Sequence, residues 1–215
     1  MINLVEQATI LAHDIDKPFD FALKRRLIAT YISGRAMLLR RSITSNRAVP
    51  AECIQSFAVP IEKADTLSSY YIDNYKVSVK TKETIPVPIR INSPEPFISV
   101  STMDGSINYA YSDLMSIRSN STRAGKFVSG TGRYIYHGQR IGVYHNEGTL
   151  LSTMMILVRG LFEQPLEVHD YSNLYTYNET HFPMPLDMAT EIRNLILSGE
   201  LKIVPESQTI PINNG

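Results

Sequence analysis

Apolar residues recur at three- and four-residue steps over a long early stretch: Phe21, Leu23, Leu27, Ile28, Tyr31, Ile32, Leu38, Leu39 and Ile43. This period predicts a helix starting near Pro18 to Asp20 and running to about Asn46, roughly 27 residues or ~40 Å long. Gly34 lies in mid-run, where it either admits a second backbone or marks a bend. A shorter helix is expected before it, with Asn3 able to cap a segment carrying Leu4, Val5, Ala8, Ile10 and Leu11. Near the other end, Pro185-Leu-Asp-Met-Ala-Thr-Glu-Ile-Arg-Asn-Leu-Ile-Leu-Ser-Gly predicts a third helix. Pro185 stands in its first turn, Asp187 near its positive end and Gly199 at its stop, with Met188, Ile192, Leu195 and Ile196 on one face.

Between about Gln55 and Gly160 the period changes and the residues become Tyr, Val, Ile, Ser and Thr, punctuated by Pro and Gly. That composition predicts an antiparallel β region without helices. Candidate strands are 56–61, 70–80, 87–91, 97–101, 107–117, 133–137, 140–145 and 150–158, with a hairpin turning at Gly138-Gln139. Prolines in Ile85-Pro-Val-Pro-Ile and Ser93-Pro-Glu-Pro exclude central strands there and point to edges or connections. The expected fold is α+β, an antiparallel β-sandwich or partly closed barrel flanked by N-terminal helices and by a C-terminal helix with an extended tail. The corresponding divisions are a helical region over 1–50, a β domain over 51–160, and over 161–215 an irregular tyrosine-rich connection, the last helix and the tail.

Composition narrows the class. A chain of 215 residues with 43% hydrophobic and 20% charged side chains can bury roughly 70% of its unfolded surface, so neither disorder nor a minimal core is expected. The single cysteine, Cys53, cannot form an internal disulfide, and the opening segment lacks the basic and apolar regions of a secretory leader. A reducing compartment, the host cytoplasm, is expected as the place of synthesis. The longest nearly apolar run, 150–158, is about half the ~20 residues of a membrane span.

Candidate chemistry is sparse. His13, His137, His145, His169 and His181 show no metal-ligand spacing, and Cys53 has no local signature of a cysteine nucleophile. Ser129-Gly-Thr-Gly-Arg lacks phosphate-loop spacing and precedes a strand pattern rather than a helix. Asp104-Gly and Glu147-Gly read as turns. No catalytic, cofactor-binding or metal-binding residue is expected, and the chain reads as a non-enzyme.

Charge placement stands out. Residues 17–47 carry eight basic side chains against Asp20 alone, about +7, while the whole chain sums to zero. Lys24, Arg25, Arg26, Arg35, Arg40 and Arg41 are therefore candidate interface or DNA-channel residues. At 100° per residue they cannot share one face, so two stripes are expected. The alternatives are a solvated helix face, or a surface meeting phosphates or an acidic neighbour.

The order of helices, a Tyr/Ser/Thr-rich β middle and the ending Phe182-Pro-Met-Pro-Leu-Asp-Met-Ala-Thr-Glu-Ile-Arg-Asn-Leu-Ile-Leu-Ser-Gly-Glu-Leu resembles a virion structural protein of crAss-like tailed bacteriophages. The resemblance implies a neck ring or head-to-tail connector adaptor. Such a protein would form a homo-oligomeric ring, twelve-fold, around passing double-stranded DNA held non-specifically. It would contact the portal and other neck and tail proteins, use no cofactor and touch no membrane. The competing reading is a cytoplasmic nucleic-acid-binding protein that uses its basic N-terminal helix.

Overall fold

The computed structural model describes residues 2–72, 77–89, 95–121, 132–145, 155–171 and 182–205. Four α-helices are present among them: α1 (Leu4–Asp14), α2 (Phe21–Thr44), α3 (Leu114–Ser121) and α4 (Leu186–Leu197). Seven strands accompany them: β1 (Gln55–Lys63), β2 (Val77–Thr81), β3 (Ser99–Thr102), β4 (Asn108–Tyr111), β5 (Arg133–His137), β6 (Arg140–His145) and β7 (Met155–Gly160). Short 3-10 turns occupy Ala51–Cys53 and Pro165–Tyr171. The chain divides into two compact units. One draws on Met1–Gln55, Phe162–His169 and Thr176–Gly215, the other on Ser56–Leu161 and Asp170–Tyr175.

The first unit is helical, and local chemistry sets its boundaries. The Asn3 side chain accepts the Glu6 N–H at 3.2 Å, and Asp20 accepts the Leu23 N–H at 2.9 Å, so each helix start has one orphan donor satisfied. The α2 helix is about 36 Å long and turns Leu27, Ile28, Tyr31, Leu38, Leu39 and Ile43 inward. Gly34 permits a close approach. A Cβ built there would stand 3.2 Å from two carbons of Ile192 on α4, so the absent side chain is what lets α4 lie down on α2. Beyond α4, Gly199 takes φ +77°, and the Leu201 N–H returns to the Leu195 carbonyl at 2.9 Å, which ends the helix. Residues 201–205 then run without helix or strand. An antiparallel bridge between Ile2 and Phe182 closes the start of the unit.

The second unit is a closed barrel with strand order β1-β2-β6-β5-β4-β3-β7, so the sheet closes on itself and leaves no exposed edges. The barrel decides between the two β architectures expected from sequence. Ile141, Val143 and Tyr144 of β6, Tyr134 and Ile135 of β5, and Ile156 and Val158 of β7 are buried. The β5–β6 hairpin turns at Gly138-Gln139, where φ is +54° and +58°, the sign that a two-residue connection of matching twist requires.

Three expectations fail here, each for a local reason. The segment 107–117 does not continue as a strand. Asp113 accepts the Ser116 N–H at 2.8 Å and caps α3, so a helix forms inside the β region. That helix lies between β4 and β5, which consequently pair in parallel, Ala110 with Arg133 and Tyr111 with Tyr134, in an otherwise antiparallel set. Residues 84–89 form no strand, because the prolines remove ladder donors. They run as a connection tied by Ile85 N–H to the Gln139 carbonyl at 2.7 Å and Ile89 N–H to the Leu161 carbonyl at 2.8 Å. Tyr75, Ser93-Pro94, Ser129-Gly-Thr, Glu147-Gly, Leu150–Thr153, Tyr175, Tyr177, His181 and the tail from 206 lie outside the described residues.

Candidate functional site

The six basic residues singled out from the sequence all sit on α2, yet they have different destinations. Arg35 is fully buried inside its own chain, on the same helical arc as Leu27, Tyr31, Leu38 and Leu39. Its Nε donates to the Pro183 carbonyl at 2.8 Å, Nη1 to the Phe162 carbonyl at 2.9 Å and Nη2 to the Cys53 carbonyl at 2.9 Å. Its guanidinium carbon also lies 5.8 Å from the centre of the Phe182 ring. A planar fork with fixed donors suits three converging carbonyls in a way an ammonium could not. Arg35 thus pins three chain segments together and is unavailable to a phosphate or a neighbour. Burial lowers its pKa, and burial also raises that of the Cys53 thiol.

Arg26 and Arg40 are also engaged within the helical unit. Arg26 Nε donates to the Val204 carbonyl at 2.9 Å, while the Val204 N–H donates to Thr30 Oγ1 at 3.0 Å, so the segment after α4 is stitched along α2. Arg40 forms an ion pair with Glu163. Lys24 is half-buried and stands over the Phe21 ring, 5.6 Å from its centre. Arg25 and Arg41 are exposed. They lie about 24 Å apart along the axis and 160° around it, so no single charged stripe forms.

Two further surface features belong to the helical unit. At the turn from α1 into α2, Phe19 is 88% and Phe21 77% exposed, although the periodic pattern assigned Phe21 to the apolar face. On α4, an open groove of about 420 Å³ is lined by Asp187, Thr190, Glu191 and Leu195 and ends at Glu200. It lies on the side of α4 turned away from Ile192 and hence from α2. Leu186 and Leu197, 59% and 50% exposed, flank it.

No group of His, Cys, Asp and Glu among the described residues is arranged to hold a metal ion. No helix among them is long and apolar enough to cross a membrane. The inward course of Arg35 was available in the sequence, since it falls four residues after Tyr31 and four before Leu39. Counting charge along the chain conceals that register. The groove carried no such signal, because Asp187 and Glu191 look like an ordinary wet helix face.

No curated protein matches the chain. A family model does match, that of phage tail ring protein 2 of crAss-like phages, over residues 12–215. That match covers nearly the whole chain, which therefore belongs to this family of virion structural proteins.

Proposed function

We propose that the chain is a subunit of the phage head-to-tail connector, forming a twelve-fold ring around the DNA channel and joining the portal to tail components. Membership of a tail ring family over nearly the full length carries this reading. A long capped helix in one unit and a closed barrel in the other fit a subunit that binds and positions rather than turning over substrate. The chain acts without catalysis and without a cofactor. Arg25 and Arg41, with Lys24 at the helix start, supply non-specific positive charge toward DNA or an acidic neighbour, since nothing in their placement offers readout of base edges.

Electron microscopy of intact particles and of the purified chain tests the reading directly: rings of one radius at the neck, twelve copies each, are expected. A purified chain that stays monomeric and binds duplex DNA with steep salt dependence would instead establish a free nucleic-acid binder. The charge assignment has its own test. Arg25 and Arg41 are replaced together by Gln, and in a second variant by Glu, and particle assembly and genome retention are measured separately. Loss of genome retention, greater for Glu than for Gln, is expected. Parental behaviour of both variants would reduce the charge to a solvated helix face.

A further inference from the structure

Two nearly bare phenylalanines at the tip of a helical hairpin are costly to leave in water, and ring subunits present one surface to the next copy. The tip holds Phe19 and Phe21, 88% and 77% exposed, bordered by Lys17, Lys24 and Arg25. Asp16 and Asp20 are the acids within it, and the Asp20 carboxylate is turned to the start of α2, where it accepts the Leu23 N–H. The tip therefore offers aromatic rings in a basic frame.

The groove on α4 has the opposite character. Asp187, Glu191 and Glu200 line it together with Thr190, Asn194 and Ser198, with no basic residue among them and Leu195 as the apolar residue at its edge; it is a shallow, open depression of about 420 Å³ along the outward face of the helix. The exposed Leu186 and Leu197 border it on the side opposite Leu195. The side of α4 packed on α2 is the Ile192 side, so the groove faces away from the helix whose start forms the tip. The two surfaces are opposite in charge, each has apolar side chains exposed at or beside it, and one copy presents both.

We infer that the Phe19/Phe21 tip of one copy docks in the α4 groove of the next copy, giving a head-to-tail contact that propagates around the ring. The occupant is a second copy of this chain rather than another protein, because the complementary pair is complete within one sequence. A contact joining two different patches generates rings or open filaments rather than two-fold dimers. The inference rests on the ring reading above and deepens it by naming the surfaces.

The test uses the full-length chain and two surface variants, Phe19→Ser/Phe21→Ser for the tip and Asp187→Lys/Glu191→Lys for the groove. Since all four positions are exposed, both variants are expected to keep the parent's circular dichroism and the tip variant its unfolding midpoint, the groove variant's falling slightly because Asp187 stands in the first turn of α4. In sedimentation velocity each is expected to lose the ring, with self-association weakened at least about tenfold. Mixing the two variants is expected to give one-to-one dimers and no larger species, because only one good tip and one good groove remain per pair. A third chain combining Asp187→Lys/Glu191→Lys with Lys17→Glu/Lys24→Glu/Arg25→Glu is expected to recover rings. A fourth, Phe19→Cys/Thr190→Cys, is expected to give a ladder of disulfide-linked copies on mild oxidation, the native Cys53 being buried. Rings that persist in the tip and groove variants overturn the docking and leave the ring reading intact. A parent chain that is monomeric and yields no ladder overturns both.

Discussion

A guanidinium that spends all its directions on backbone carbonyls behaves unlike a surface charge. Replacing Arg35 by Gln strands the Cys53, Phe162 and Pro183 carbonyls inside the helical unit. The expected loss is at least about 3 kcal/mol in urea unfolding, because buried acceptors left unpaired cost more than the bonds themselves contribute. Arg35→Lys is expected to recover only part of it, since a single ammonium cannot reach three acceptors with fixed geometry. Asp104 gives a pH effect of known sign. Hydrogen bonds from the Thr102 and Ser106 hydroxyls, and from the Ser106 N–H, hold its carboxyl down at about 2, below the ordinary 3.8. Its contribution to stability is complete above the ordinary value and disappears as pH falls through about 2. A carboxyl NMR titration is expected to show the low midpoint, and Asp104→Asn to flatten the pH dependence of unfolding in that window. Neither role follows from a residue's type. Arg35 and Arg41 are alike in composition, and only helical phase and the distant segments at 162 and 183 separate them.

Elements were legible in proportion to how local their causes are. Asn3, Pro185 and Gly199 mark helix ends with chemistry confined to a few residues, so α1 and α4 could be placed from sequence, as could the hairpin at Gly138-Gln139. The α3 helix escaped because only eight residues separate its ends, too few for periodicity to show against a Tyr- and Ser-rich background. Its parallel β4–β5 pairing was invisible for the same reason, as a parallel pair requires a crossover and the strand expected over 107–117 hides the start of this one. Asp113→Ala should therefore cost about 1 kcal/mol through loss of the cap, seen as faster amide exchange across 114–117. At Gly34 a larger residue meets Ile192 at 3.2 Å. Gly34→Val is expected to destabilise by about 1–3 kcal/mol, and pairing it with Ile192→Ala should restore part of the loss in a double-mutant cycle.

At the scale of the whole molecule, segregated charge governs association more than folding. The stretch 17–47 carries about +7 and the remainder about −7, so assembly between copies should weaken steeply with added salt, while the unfolding midpoint, set by apolar burial, changes little. Sedimentation and thermal unfolding at matched ionic strengths separate the two. No pattern in the sequence could reveal which surfaces meet, because self-complementarity is a property of folded faces. The three bonds of Arg35 also impose a timetable. Pro183 lies 148 residues after Arg35 in the chain, and ribosomes add roughly 5–20 residues per second. For roughly 7–30 s of synthesis, then, the first two helices exist without the Pro183 carbonyl and the α4 face that complete them, and for most of that time with the Cys53 carbonyl alone of the three. The nascent chain must carry an unfinished hydrophobic hairpin through the whole translation of the barrel, so its yield in a host cell should depend on holding chaperones bound to its first fifty residues.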